Sequence, residues 1–256
     1  MSVNVMSERF LSIPHLPSRP VSCVIMSDGK PPLTAALQSC HIQVIPSEPL
    51  PFVSGSERFH ADMSVCHAGG EQLFIARELS PSMKALLSDE GFTLTETRQS
   101  VTAERPSLNI CVLHQKVLCH TPTADPSLLS FLQSTGKRIL YTRQRYSKCS
   151  AAVVYDNALI TSDPSIEKIS RQNGIDVLKI RSGFIELDGY TYGFIGGCCG
   201  LLSRDILAFS GCIEQHPDYQ AIKAFARNYG VSLLSLSGEK LYDIGGILPL
   251  KEYTET

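Results

Sequence analysis

Nine cysteines and seven histidines are the side chains of this 256-residue sequence with the most chemistry open to them. A cysteine attacks an electrophile or binds a metal only as thiolate, so its value depends on what stands beside it. The cysteines are odd in number and include no Cys-x-x-Cys pair; the one close pair is the vicinal Cys198-Cys199. Disulfide frameworks belong to short secreted chains with even counts, so reduced thiols are expected. Structural zinc usually takes two closely spaced pairs of soft ligands, a spacing missing here; a zinc site from Cys198, Cys199 and His60 stands as a third reading, and no metal or cofactor is otherwise expected. Most of the thiols lie in apolar runs such as Asn109-Ile110-Cys111-Val112-Leu113, where free cysteine is a small core residue. Gly196-Gly197, just before Cys198, permits close backbone approach to a ligand or, equally, tight internal packing. Gly196-x-x-x-Gly200 is no phosphate loop, because neither a Gly-Lys-Ser/Thr ending nor a helix follows. His216-Pro217-Asp218 precedes a helical pattern, and capping is the role expected of Asp218.

What positions these residues is a repeat. Ala152–Tyr155 reads as a strand, Asp156-Asn157 as a hairpin turn and Ala158–Thr161 as the return strand. Asp163-Pro164 is an N-cap followed by Pro at N1, Asn173-Gly174 closes the helix, and Ile175–Ile180 is a third strand. The same strand-strand-helix-strand unit recurs from Asp62-Met63-Ser64-Val65, from Leu108–Leu113 and from Cys198, each with Pro near the helix start and Gly near its end. Val21–Met26, a Pro31-started helix and His41–Ile45 form a unit that lacks its first strand. Asp243–Leu248 is a first strand with no unit behind it. If the last strand completes the first unit, five units close into a ring without exposed sheet edges. Thr97-Arg98-Gln99 and Thr142-Arg143-Gln144, which both end third strands, fit a repeated rim position. Aligned on their turns, the units place Asp62, Asn109, Cys149 or Ser150, Cys198 and Asp243 at one level of the central channel, where a small-molecule site would form.

This fivefold repeat resembles the pentein fold, the five-bladed α/β propeller of the guanidine-modifying enzymes, over about Val21 to Leu250. Phe59-His60-Ala61-Asp62 and Asp243-Ile244-Gly245-Gly246-Ile247-Leu248 are the most family-like stretches. The chain also resembles a bacterial family of unassigned function in that fold, through Tyr192-Gly193-Phe194-Ile195-Gly196-Gly197-Cys198-Cys199-Gly200 and His216-Pro217-Asp218. The resemblance implies a cationic planar substrate held by carboxylates, a thiolate attacking its central carbon, and a histidine moving the proton. His60 would then be the acid/base and Asp62 a substrate carboxylate. The family's C-terminal cysteine has no counterpart, since Gly245-Gly246-Ile247-Leu248-Pro249-Leu250 holds no thiol. Cys198 or Cys149 would have to supply the sulfur, with Asn109, Asp243, Gly196 and Gly197 around the substrate.

Composition adds exclusions. With 23 basic and 25 acidic side chains the formal charge is -2, and no basic run suggests nucleic acid. No apolar stretch is long enough for a membrane span. Pro14, His15 and Pro17 stand where a signal peptide needs an apolar helix, so a cytoplasmic protein is expected. The expected organisation is an N-terminal extension over 1–20 and one α/β propeller over 21–256. The expected function is a small-molecule site in the channel, with hydrolase or transferase chemistry on a guanidine-like compound; the alternative is a non-catalytic ring that binds a ligand or partner.

Overall fold

The computed structural model describes residues 7–27 and 31–254. Its elements run in five blades. The chain opens with β1 (Glu8–Phe10), β2 (Val21–Ser27), α1 (Pro31–Ser39) and β3 (Gln43–Ser47). A short helix α2 (Ala61–Ser64) leads into the second blade, β4 (Val65–Gly69), β5 (Gln72–Ile75), α3 (Pro81–Asp89) and β6 (Thr93–Glu96). The third is β7 (Cys111–Val112), β8 (Lys116–Cys119), α4 (Pro126–Ser134) and β9 (Arg138–Tyr141). The fourth is β10 (Ala152–Tyr155), β11 (Ala158–Thr161), α5 (Pro164–Gln172) and β12 (Asp176–Lys179). The fifth is β13 (Cys199–Ser203), β14 (Ile206–Phe209), α6 (Tyr219–Asn228) and β15 (Ser232–Ser235), and β16 (Leu248–Tyr253) ends the described chain. In every blade the first strand is antiparallel to the second, and the second is parallel to the third across the helix. A parallel pair cannot be joined by a tight turn, and the helix is the crossover it needs.

The ring closes as the repeat requires. β16 pairs antiparallel with β2, with Leu248 opposite Ile25 and Glu252 opposite Val21, so the last strand completes the first blade. β1 pairs with the other side of β16, and Leu11 behind it is fully buried, so residues 8–10 of the segment read as an extension belong to this sheet. Near the axis neighbouring blades bond through their backbones. Asp62 N–H donates to Gly245 O, Gly197 N–H to Cys149 O, and Ile244 N–H to Gly197 O.

Helix ends follow the local chemistry. Ser80, Asp125 and Asp163 each accept a hydrogen bond from the first turn of their helix, and proline follows each. The fifth blade departs from this: the Asp218 side chain makes no cap bond, because its carboxylate accepts from the backbone and guanidinium nitrogens of Arg181. Three predicted first strands also shorten at their inner ends. Asp62 to Ser64 form a helical turn, and the strand begins at Val65. In the third blade bonds from Asn109 N–H to Pro106 O and from Ile110 N–H to Leu108 O leave only Cys111–Val112 extended. Asp243 to Ile247 are irregular, since Gly245 and Gly246 take φ of 74° and 83°, outside any strand. Among the described residues no helix is long and apolar enough to cross a membrane.

Candidate active site

Those irregular inner ends carry the polar side chains to the axis. Asp62 sits in the helical turn three residues before β4, and Cys149 three residues before β10. Asp243 precedes β16 by a longer loop whose Gly245 N–H donates to Asp243 Oδ1 at 3.0 Å. Phe194 N–H fixes the other oxygen, Oδ2, at 2.8 Å. The Cys149 thiol donates to Asp62 Oδ2 at 2.7 Å, and His60 Nδ1 stands 3.8 Å from Asp243 Oδ1. An imidazole nitrogen of His60, Cys149 Sγ and a carboxylate oxygen of Asp243 all lie within 4.8 Å of one another. The cluster therefore joins residues from three blades across the axis.

Asn109 and the two glycines frame the thiol. Asn109 Oδ1 accepts from the backbone N–H groups of Lys148 and Cys149, and its Nδ2 donates to Cys149 Sγ at 3.4 Å. A Cβ on Gly196 would lie 2.4 Å from the carbonyl oxygens of Lys148 and Ala151; one on Gly197 would lie 1.9 Å from Asp243 Oδ1. Both glycines are thus spent on packing, the second directly against a site carboxylate.

Cys198 is not in this group. It follows Gly196-Gly197 in a 3₁₀ turn, Ile195–Cys198, and its thiol donates to Ile195 O at 3.2 Å among apolar neighbours. Cys199 begins β13 and is buried as well, and among the described residues the two vicinal thiols and His60 form no group close enough to hold a metal, as the zinc reading required. All nine cysteines are free. Lys148 is the residue that sequence reasoning missed. It is buried, and its Nζ donates to Gly196 O at 2.8 Å. Its only mark in the sequence is adjacency to Cys149.

Burial sets the electrostatics. His60, Asp62, Lys148, Cys149 and Asp243 are each 5% exposed or less. Burial pushes the Asp62 carboxyl up to about 6, against the pull of His60 and Lys148 and with a further push from Asp243. The Cys149 thiol is held well above its usual range, first by burial and then by the carboxylates of Asp62 and Asp243, with Lys148 opposing. Burial works against the Lys148 charge, but Asp62 and the surrounding thiols outweigh it and raise its pKa. The resting pair is a neutral thiol donating to a carboxylate, with an ammonium as the cluster's own cation. Its capacity is that of a nucleophile with a neighbouring proton acceptor, awaiting more positive charge.

Clefts of several hundred Å³ open elsewhere. One of about 630 Å³ is lined by Pro20, Cys40, Leu202 and Tyr229, and another of about 670 Å³ by Pro32, Glu186, Ser237 and Tyr242. Neither is lined by His60, Asp62, Cys149 or Asp243. The segment between the fourth and fifth blades packs against Asp243. Its Tyr190 hydroxyl donates to Glu57 Oε2 at 2.6 Å, and a Cβ on its Gly193 would meet Asp243 Cβ at 2.5 Å.

A family model described as a family of unknown function, DUF6873, matches residues 25–248. No curated protein matches the sequence. Among solved structures the chain is similar to inosamine-phosphate amidinotransferase from Streptomyces griseus, with 12% identity, a TM-score of 0.60, and 97% of this chain and 98% of that one covered. It is similar to the C. jejuni agmatine deiminase with substrate bound, at 9% identity and a TM-score of 0.54 over 99% of both chains. It is also similar to DDAH from Pseudomonas aeruginosa, at 11% identity and a TM-score of 0.53, with 92% of this chain and 100% of that one covered. These likenesses establish the fold: five ββαβ blades in the pentein arrangement of guanidine-modifying enzymes.

Proposed function

Because the chain belongs to the family of unknown function DUF6873 and carries the pentein fold, we propose that its ring centre is a thiol active site for a guanidinium or amidinium compound. The observation that carries this reading is the meeting of Cys149, Asp62, His60 and Asp243 at the axis, with the thiol bonded to a carboxylate and within 4.8 Å of an imidazole nitrogen. In this reading Asp62 and Asp243 hold the planar cation. The cation's charge offsets the two carboxylates that keep Cys149 protonated, so substrate itself promotes the thiolate. Cys149 Sγ bonds to the central carbon and its proton passes to Asp62 or His60. The carbon–nitrogen bond to the leaving amine then breaks as His60 gives that nitrogen a proton. Water then displaces the sulfur to give a urea-type product, or an acceptor amine displaces it and takes the amidino group. The amidinotransferase and deiminases of the same fold support both outcomes as classes. Nine free thiols suit the reducing cytoplasm, and the site's scale suits a small molecule without nucleic acid or membrane.

Closure of the cluster favours the other reading, a ring that only binds a ligand or partner. One experiment separates the two. The protein is treated with cationic 2-chloroacetamidine and with neutral 2-chloroacetamide, and the modified cysteine is identified by mass spectrometry in wild type, Cys149→Ser and Cys198→Ser. Selective labelling of Cys149 by the cationic reagent, at least about tenfold faster than by the neutral one, is expected from carboxylate recognition of a cation. Labelling that survives Cys149→Ser, or equal rates for the two reagents, would overturn the thiolate mechanism.

A further inference from the structure

We propose that His60, Cys149 and Asp243 form a binding site for one thiophilic divalent cation, zinc by its coordination chemistry, at the ring centre. The inference uses residues of the proposed active site but needs no reactivity there. One nitrogen, one sulfur and one carboxylate oxygen are a donor set that zinc takes readily, at about 2.0–2.3 Å from the ion. Around a tetrahedral ion such donors stand roughly 3.3–3.8 Å apart. His60 Nδ1 and Asp243 Oδ1 are already at 3.8 Å, and the widest separation in the group is no more than 4.8 Å. Sulfur and imidazole together argue against magnesium or calcium, which prefer oxygen.

Three further observations favour the site. His60 Nε2 and Asp62 Oδ1 are buried without a hydrogen-bond partner, so the centre holds polar atoms whose needs the protein's own bonds do not meet. The ligands are already held from outside: Asp243 by the N–H groups of Phe194 and Gly245, and Cys149 by Asn109 Nδ2. Asp62 Oδ2, 2.7 Å from the sulfur, is placed to complete the fourth position or to hold a water there. On binding, Cys149 releases its proton to solvent and sulfur bonds to the metal; nothing is oxidised or reduced. Two carboxylates and a thiolate then balance a divalent ion and the Lys148 ammonium, leaving the buried centre neutral.

The ligands come from the lead-ins to β4, β10 and β16, so the ion would tie three blades together. The test is a titration of chelator-treated protein with Co²⁺, read by absorption and by thermal unfolding. We expect one equivalent to saturate, a near-ultraviolet sulfur-to-cobalt band displaced by Zn²⁺, and a higher melting temperature with metal. Cys149→Ser should lose the band, and His60→Ala should weaken binding at least about tenfold, while Cys198→Ser leaves both unchanged. No saturable one-equivalent binding to wild type, a band that persists in Cys149→Ser, or one lost in Cys198→Ser would overturn the site. Where a variant does not fold, wild type still decides: one equivalent of Zn²⁺ should protect Cys149 from 2-chloroacetamidine. Labelling without protection removes the metal site and leaves the thiol chemistry. Metal binding without any labelling does the reverse.

Discussion

Asp62 is a carboxylate with 1% exposure, one hydrogen bond from a thiol and one oxygen left bare. Burial raises its pKa to about 6 in the fold, above the ordinary value of 3.8. Between those two values the folded chain binds a proton that the unfolded chain does not. The group's favourable contribution is therefore complete below about pH 4 and is lost as pH rises through 6. Asp62→Asn keeps the shape and an acceptor for the thiol but removes the charge. Relative to wild type it is expected to gain stability as pH rises from about 4.5 to about 7, because only the wild type has a buried carboxyl to deprotonate there. Urea denaturation at the two pH values checks this, and an equal effect at both would mean that the fold does not raise the Asp62 pKa. At this scale the sequence told much about some residues and nothing about others. His60 and Asp62 lie two apart in one stretch and could be read together. Cys149 was legible through its level in the repeat. Lys148 was not, because a single lysine beside a cysteine has no period, and its role appears only when Gly196 O is brought to it from another blade. Cys198 misled for a related reason: the 3₁₀ turn ending at it advances the chain, so Gly197, not the thiol, stands against the Cys149 carbonyl and Asp243.

Between blades, helix N-termini do more than cap. Arg98 N–H, beyond β6, donates to Asp125 Oδ2 at 2.9 Å while Asp125 Oδ1 accepts from Ser127 and Leu128 at the start of α4. The same join recurs where Gln144 Nε2 reaches Asp163, where Arg181 reaches Asp218, and where Ser80 Oγ donates to Glu48. The two Thr-Arg-Gln stretches are therefore blade connectors, which explains why they recur. Asp125 is 2% exposed, and replacing it strands a backbone donor as well as uncapping a helix. Asp125→Ala should cost about 2–3 kcal/mol, against about 1 kcal/mol for Asp163→Ala, by urea denaturation. Equal costs would mean that the buried backbone bond to Asp125 contributes no more than the weaker Gln144 amide bond to Asp163. Helices and outer strands were legible because proline, glycine and a capping side chain mark them locally. The inner ends of the first strands were not, since their conformation is set by bonds to the next blade, as Asp62 N–H to Gly245 O illustrates.

The whole molecule is held shut by one strand. β16 lies between β1 and β2, and at its far end Thr254 N–H donates to Ser7 O at 2.8 Å. A chain in which residues 254 and 7 are joined by a short linker, and which is opened instead at the exposed Asp156-Asn157 turn, should fold with unchanged circular dichroism and unchanged Cys149 reactivity. A permutant that unfolds, or that folds without the reactive thiol, would show that the opened turn matters more than its exposure suggests. Ring closure itself was legible from the incomplete first unit and the spare last strand. The pairing of β1 was not, because three residues of strand carry too little pattern to be seen.

That closing strand also orders events during synthesis. The first blade emerges from the ribosome lacking β16, and Asp243, which faces His60, is made only after the other four blades. Domains settle as units as the chain lengthens, yet no nascent chain short of β16 can hold both halves of the cluster. The chemistry of the ring centre is thereby withheld until every blade has been made.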